Sequence, residues 1–237
     1  MSPEVHVGVS GFSYPSWKGR FYPKETKAEE FLSYYSQRLD TVEINSSFYA
    51  SPAAAVVRGW GQRTRDGFTF SFKAPRQITH IQRLAEASIV PAKKFSDTLS
   101  VLGAKRGPTL FQLPPYSKCD LALLEGFLSG TEDIKERVFE FRHESWLGEA
   151  TFSLLERNGA GFCVAETEDM KPVLRVTGGM GYYRLRMDAY SAEEVDRWAD
   201  VIGESSRGVP KSYVYLRHDE TGENAVLAQR LAQRLSG

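Results

Sequence analysis

The sequence predicts a (β/α)8 barrel of the TIM type, a single domain over residues 1–237, with a short or missing helix between its sixth and seventh strands. Three observations carry that prediction. Eight strand-like runs alternate with segments of helical spacing, which implies a parallel sheet, and eight such units close most simply on themselves. The length of 237 residues is that of one such barrel. The stretch after the first run, Gly8-Val9-Ser10-Gly11-Phe12-Ser13, lacks the G-x-G-x-x-G spacing of a phosphate fingerprint, so a doubly wound open sheet is the second choice.

The predicted strands cover residues 5–10, 41–45, 68–73, 109–113, 138–142, 161–165, 182–187 and 212–217. Between the first two, Thr26 and Glu29 have capping-box spacing before a helix reaching Leu39. Ser51 and Pro52 suit the start of the next helix, and Pro91 opens a third that Gly103 closes. Asp120 caps a stripe of Leu121, Leu124, Phe127 and Leu128, with Gly130 beyond it. Pro172, Gly178, Gly179 and Gly181 leave little room for a helix after the sixth strand. Ser191 with Glu194 forms a capping box before Val195, Trp198, Ala199 and Ile202, and Asn224 is the expected cap of the last helix.

Composition excludes several classes. A charged fraction of 25% with 14 Phe, 11 Tyr and 4 Trp does not fit a disordered chain. Thirty basic against thirty acidic side chains argue against coating long nucleic acid, yet leave room for a local basic pocket. Cys119 and Cys163 are too few for a disulfide framework and have no zinc-ligand spacing. No leader pattern opens the sequence and no apolar run reaches membrane-span length, so a soluble cytoplasmic protein without membrane partners is expected. No heptad repeat suggests an obligate dimer; a monomer is the default, and no cofactor is predicted.

Inside the strands, apolar and polar residues alternate, whereas a parallel sheet covered on both faces reads as continuous apolar runs. Residues i and i+2 share a face. One face collects Val7, Val9, Val42, Ile44, Phe70, Phe72, Phe139, Phe141 and Leu216, and should pack on the helices. The other carries Ser10, Glu43, Asn45, Ser71, Lys73, Gln112, Glu140, Arg142, Arg184, Arg186, Tyr213, Tyr215 and Arg217. That face holds five basic groups (Lys73, Arg142, Arg184, Arg186, Arg217) for two acidic ones (Glu43, Glu140). Buried charge must pair, or meet water or a ligand. Most of these residues end their strands, where barrels of this type hold their active sites. An anion held by arginines would complete the pairing; a polar plug of internal ion pairs is the bland alternative.

The runs Val9-Ser10-Gly11-Phe12-Ser13-Tyr14-Pro15, Phe21-Tyr22-Pro23 and Thr41-Val42-Glu43-Ile44-Asn45-Ser46-Ser47-Phe48-Tyr49 resemble the opening of the DUF72 (YecE-like) family. Phe72-Lys73-Ala74-Pro75, Phe111-Gln112-Leu113-Pro114-Pro115 and Glu140-Phe141-Arg142-His143 continue the resemblance over nearly the whole chain. It implies a TIM-type barrel and transfers site positions rather than an activity, since the family is named for its unknown function. The chain departs from the family's pattern at Arg184-Leu185-Arg186-Met187 and at Leu216-Arg217-His218-Asp219.

On strands two and five, Glu43 and Glu140 would face each other across the mouth. If their environments separate their pKa values, they serve as acid and base of a hydrolase or lyase acting on a phosphorylated or nucleotide-like small anion. The rival reading, of equal weight, makes each a plain salt-bridge partner. In this reading Lys73, Arg142 and Arg184 hold the anion and Gln112 orients it, with Ser10, Asn45, Tyr49 and His80 lining the pocket. Tyr49 and Tyr116 are candidates for stacking on a base or sugar, whereas Trp17 and Trp146 read as packing. Three alternatives stand beside it. One is a non-catalytic binder of a phosphorylated metabolite or nucleic-acid end. Another is a Schiff base on Lys73, which requires a depressed amine pKa. The last is a divalent-metal hydrolase using Glu43, Glu140, His80, His143 and Asp219, although H-x-H and H-E-x-x-H are absent from the sequence.

Overall fold

A computed structural model describes residues 4–236. Eight parallel strands close into a barrel in chain order: β1 Glu4–Ser10, β2 Thr41–Ile44, β3 Thr69–Lys73, β4 Arg106–Gln112, β5 Arg137–Glu140, β6 Gly161–Glu166, β7 Met180–Leu185 and β8 Lys211–Leu216. All eight predicted strands are present. Seven α-helices accompany them among the described residues: α1 Phe31–Ser36, α2 Ala54–Gln62, α3 Ile89–Leu99, α4 Leu121–Gly130, α5 Glu149–Arg157, α6 Ala192–Ser205 and α7 Glu223–Ser236. β6 runs to β7 without a helix, as Pro172 and the following glycines predict.

Helix ends follow the expected chemistry at two places and shift at others. Asp120 accepts from the Leu123 N–H, and Ser191 and Glu194 close their capping box. Near α1, the backbone N–H of Lys27 donates to Glu30 at 2.7 Å, so the cap lies one residue beyond Thr26 and Glu29. Helix α2 starts after Ala53 rather than at Ser51, and Gly130 ends α4 instead of following it. Asn224 is not the cap of α7. Asp219 takes that place, accepting from the N–H groups of Thr221, Glu223 and Asn224, while the Asn224 amide turns back to the Arg217 carbonyl at 2.9 Å.

Alternation within the strands divides the core in two. The large cluster between strands and helices contains Val7, Val9, Val42, Ile44, Phe70, Phe72, Phe139, Phe141, Val214 and Leu216, as their common face predicts. Inside the barrel a second cluster gathers Leu110, Val138, Cys163, Ala165, Met180, Tyr182, Tyr213 and Tyr215. At Gly8 any Cβ would collide with the Thr41 carbonyl, so β1 and β2 approach there only because the residue is glycine. Register sets the polar rungs: Ser10 lies beside Glu43, Glu43 beside Ser71, and Gln112 beside Glu140.

Candidate functional site

A network of buried charges lies at the C-terminal strand ends. Arg184, 1% exposed, bridges two glutamates that are 0% exposed: its Nη2 donates to Glu43 at 2.7 Å and its Nη1 to Glu140. Glu43 accepts a second bond from the Tyr182 hydroxyl at 2.8 Å. Glu140 accepts from Gln112 Nε2 at 2.8 Å and Arg142 Nε at 2.9 Å. Every carboxylate oxygen is engaged. Burial alone would raise the Glu43 carboxyl, but Arg184 overrides it and holds it below its ordinary range. The same contest, with Arg142 added, holds Glu140 far below that range. Both carboxyls shift down, so neither is raised towards neutrality as a general acid requires.

Around this network the strand ends carry cations of a different kind. Lys73, at the end of β3, is half-buried and makes no ion pair among the described residues; its Nζ lies 4.0 Å from the Phe48 ring centroid. Burial, then the nearby Arg184, pushes its ammonium down to about 8. Past β7, Arg186 donates from Nη1 to Ser10 Oγ at 2.8 Å and likewise has no acidic partner among the described residues. Burial and Arg184 lower it to about 10. Arg217 does not add to this excess, because it pairs with Asp188. Five bases against two acids thus become four against two. Beside these groups, a cavity of about 720 Å³ opens between Arg142, Arg186, Arg217, His143 and His218, with the exposed acids Glu144, Glu168 and Asp169 in its wall.

The loop after β3 holds His80 in a single π-helical turn, Gln77–Ile81, followed by Arg83 and Leu84 at φ of 47° and 64°. Such turns and left-handed non-glycine residues are held only where surrounding structure demands them. His80 bonds Thr79 Oγ1 through Nδ1 at 2.9 Å and sets its edge on Phe48, 4.8 Å between centroids. Burial, then Lys73 and Arg142, lower its pKa.

The family model described as "Protein of unknown function DUF72" matches residues 6–237. The chain belongs to the DUF72 family. UPF0759 protein YunF of Bacillus subtilis is 23% identical to this DUF72 chain over 98% of it and 94% of the relative. UPF0759 protein YecE of Escherichia coli K12 is 26% identical over 89% of the chain and 69% of the relative. A crystal structure of a DUF72 family protein from Thermotoga maritima covers 99% of the chain and 100% of its own, with a TM-score of 0.82 at 25% identity.

Set against the DUF72 strand ends, the predicted site residues fall into three groups. Glu43, Glu140, Gln112 and Arg184 interlock: Nη1 and Nη2 of Arg184 and Nε2 of Gln112 donate to the glutamates, while the buried Arg184 Nε has no partner among the described residues. Ser10 is likewise committed, donating to the Leu216 carbonyl at 3.3 Å and accepting from Arg186 and the His218 N–H. Lys73, His80 and Arg142 lie near enough to act on one another's charge, and the buried Asn45 Oδ1 has no partner among the described residues. Tyr49 stands apart, 84% exposed with its edge against Phe48, and Tyr116 is also exposed. The buried Trp17 and Trp146 tie loops down through carbonyls of Asp219 and Ser117. Among the conceivable metal ligands, Glu43 and Glu140 converge on a cation already present, His143 accepts from the Ser145 N–H, and Asp219 caps α7. No helix among the described residues is long and apolar enough to cross a membrane. Sequence reading missed Tyr182 as a site residue, although its two-residue spacing before Arg184 marks it.

Proposed function

We propose that the strand ends bind a small anionic compound and carry out acid–base chemistry of the hydrolase or lyase kind, with Lys73 as the group that exchanges the proton. The observation that carries this reading is a half-buried ammonium with no ion-pair partner among the described residues, set beside fixed guanidinium groups. An amine brought to about 8 holds and releases a proton near neutral pH, which an ordinary lysine does not. Glu43 and Glu140 enter as the ionised frame that fixes Arg184 and Arg142. Neither has a proton to donate near neutrality, and their oxygens are already bonded.

The test is a screen of phosphorylated and carboxylated metabolites for thermal stabilisation, with turnover then measured for each hit. Lys73→Arg keeps the charge but not the accessible proton. It should bind hits within about fivefold of the wild type and lose at least a hundredfold in turnover, consistent with the share of general acid–base catalysis. Hits that bind while the wild type turns none of them over would instead support a non-catalytic binding protein. The fully engaged glutamates favour that second reading.

A further inference from the structure

We propose that the site takes a two-headed anion: one small molecule with two separated acidic groups, carboxylate or phosphate, one on Lys73 and the other on Arg186. This rests on the anion-binding half of the reading above, not on its chemistry. Among the inward charges at the strand ends, Glu43 and Glu140 are both consumed by Arg184, and Glu140 also by Arg142. The two cations left over are Lys73 and Arg186. They stand at the end of β3 and just past β7, strands four apart in a closed ring of eight and so on opposite sides of the barrel. Arg184, two residues before Arg186 on the same face, is 1% exposed and acts on both cations with like charge.

One compact monoanion cannot neutralise both. Each cation is also held in place. Ser10 Oγ accepts from Arg186 and is itself anchored by the Leu216 carbonyl and the His218 N–H. Lys73 is seated on Phe48, which His80 braces from its edge. Two fixed, unpaired cations at the ends of opposite strands of one closed barrel form a complement for two acidic groups on one molecule. The exposed Glu144, Glu168 and Asp169 in the cavity wall disfavour long polyanions such as nucleic acid, so the ligand is small.

The experiment is calorimetric titration of the full chain with dicarboxylates of three, four and five carbons, phosphorylated hydroxy acids, acetate and inorganic phosphate. The best two-headed anion should bind at least tenfold tighter than either single-headed one. Lys73→Met and Arg186→Met should each weaken it at least tenfold, and circular dichroism should show both variants folded. Ser10→Ala, which frees Arg186 without removing its charge, should weaken it about threefold, so the inference stays testable if Arg186→Met does not fold. Equal affinity for single- and two-headed anions overturns the inference, as does a strong loss in one methionine variant with none in the other. If two-headed anions bind and none is turned over, the enzyme reading falls and this one stands; if no anion binds, both fall.

Discussion

Inside the barrel, Tyr182, Tyr213 and Tyr215 stand among Leu110, Val138, Cys163 and Met180. Two residues beyond Thr41, Ser71, Val138 and Tyr182 on their own strands stand Glu43, Lys73, Glu140 and Arg184, with Arg186 past the end of β7. Both layers bury polar atoms, but in different ways. Below, the polar groups are neutral hydroxyls that find hydroxyl and carbonyl partners: Tyr215 with Thr41 Oγ1 at 2.8 Å, and Ser71 with Tyr182 at 2.8 Å and the Pro108 carbonyl at 2.9 Å. Burial pushes the Tyr182 and Tyr215 phenols well up, so they stay neutral. Above, the groups are charged and two cations lack acidic partners among the described residues. A layer made only for packing resembles the lower one; leftover charge in the upper one points to a ligand.

The sharpest way to break that contrast is to remove the bridge. Arg184→Met leaves Glu43 and Glu140 buried without their shared cation, a change that costs roughly 3 to 5 kcal/mol in comparable buried pairs. Urea unfolding should show that loss in the midpoint. Adding Glu43→Gln and Glu140→Gln to the same chain should recover part of it, because no uncompensated charge then remains. A single Arg184→Met change with an unaltered midpoint would mean the bridge is not formed in solution.

A smaller effect probes the seam between the layers. Tyr182 belongs to the lower cluster, yet its hydroxyl donates upward to Glu43. Tyr182→Phe deprives an ionised, fully buried carboxylate of one donor and should cost about 1 to 3 kcal/mol. Tyr215→Phe removes a neutral hydroxyl pair with Thr41 and should cost nearer 1 kcal/mol. The ratio of the two is the measurement: equal losses would show that Glu43 does not depend on the tyrosine.

How much of this was legible in the sequence follows from the reach of each signal. Period two separates Val42 from Glu43 and Phe139 from Glu140, so strand order and the inward face can be read directly. It does not say which inward groups touch. Arg184 and Arg217 look alike in the pattern, but one bridges two buried glutamates while the other pairs with the exposed Asp188. Pairing depends on side-chain reach across the ring, which no one-dimensional spacing encodes. Cap chemistry fails for a related reason: Asn224 has the right identity, but Asp219 has both the identity and the loop geometry to accept three N–H groups. His80 is visible as a residue in a basic loop, whereas the π-helical turn that sets it against Phe48 depends on tertiary packing.

The smallest expected effect concerns the unpaired lysine itself. Lys73 has a pKa of about 8 in the folded chain, against about 10.4 for an unfolded lysine. Below pH 8 both states carry the proton, and the folded state bears the full cost of a desolvated ammonium. Between about 8 and 10 the folded amine has released its proton while the unfolded one retains it. Unfolding then takes up a proton, so stability rises with pH across that window. The melting temperature of the wild type should therefore climb relative to Lys73→Met between pH 8 and about 10, with the two profiles parallel below pH 7. Because Lys73 is half-buried and water screens it, the gain should be a few degrees at most. A bound anion supplies the missing partner, so saturating ligand should raise the lysine's pKa and flatten the climb; a climb unchanged by ligand would place the anion away from Lys73.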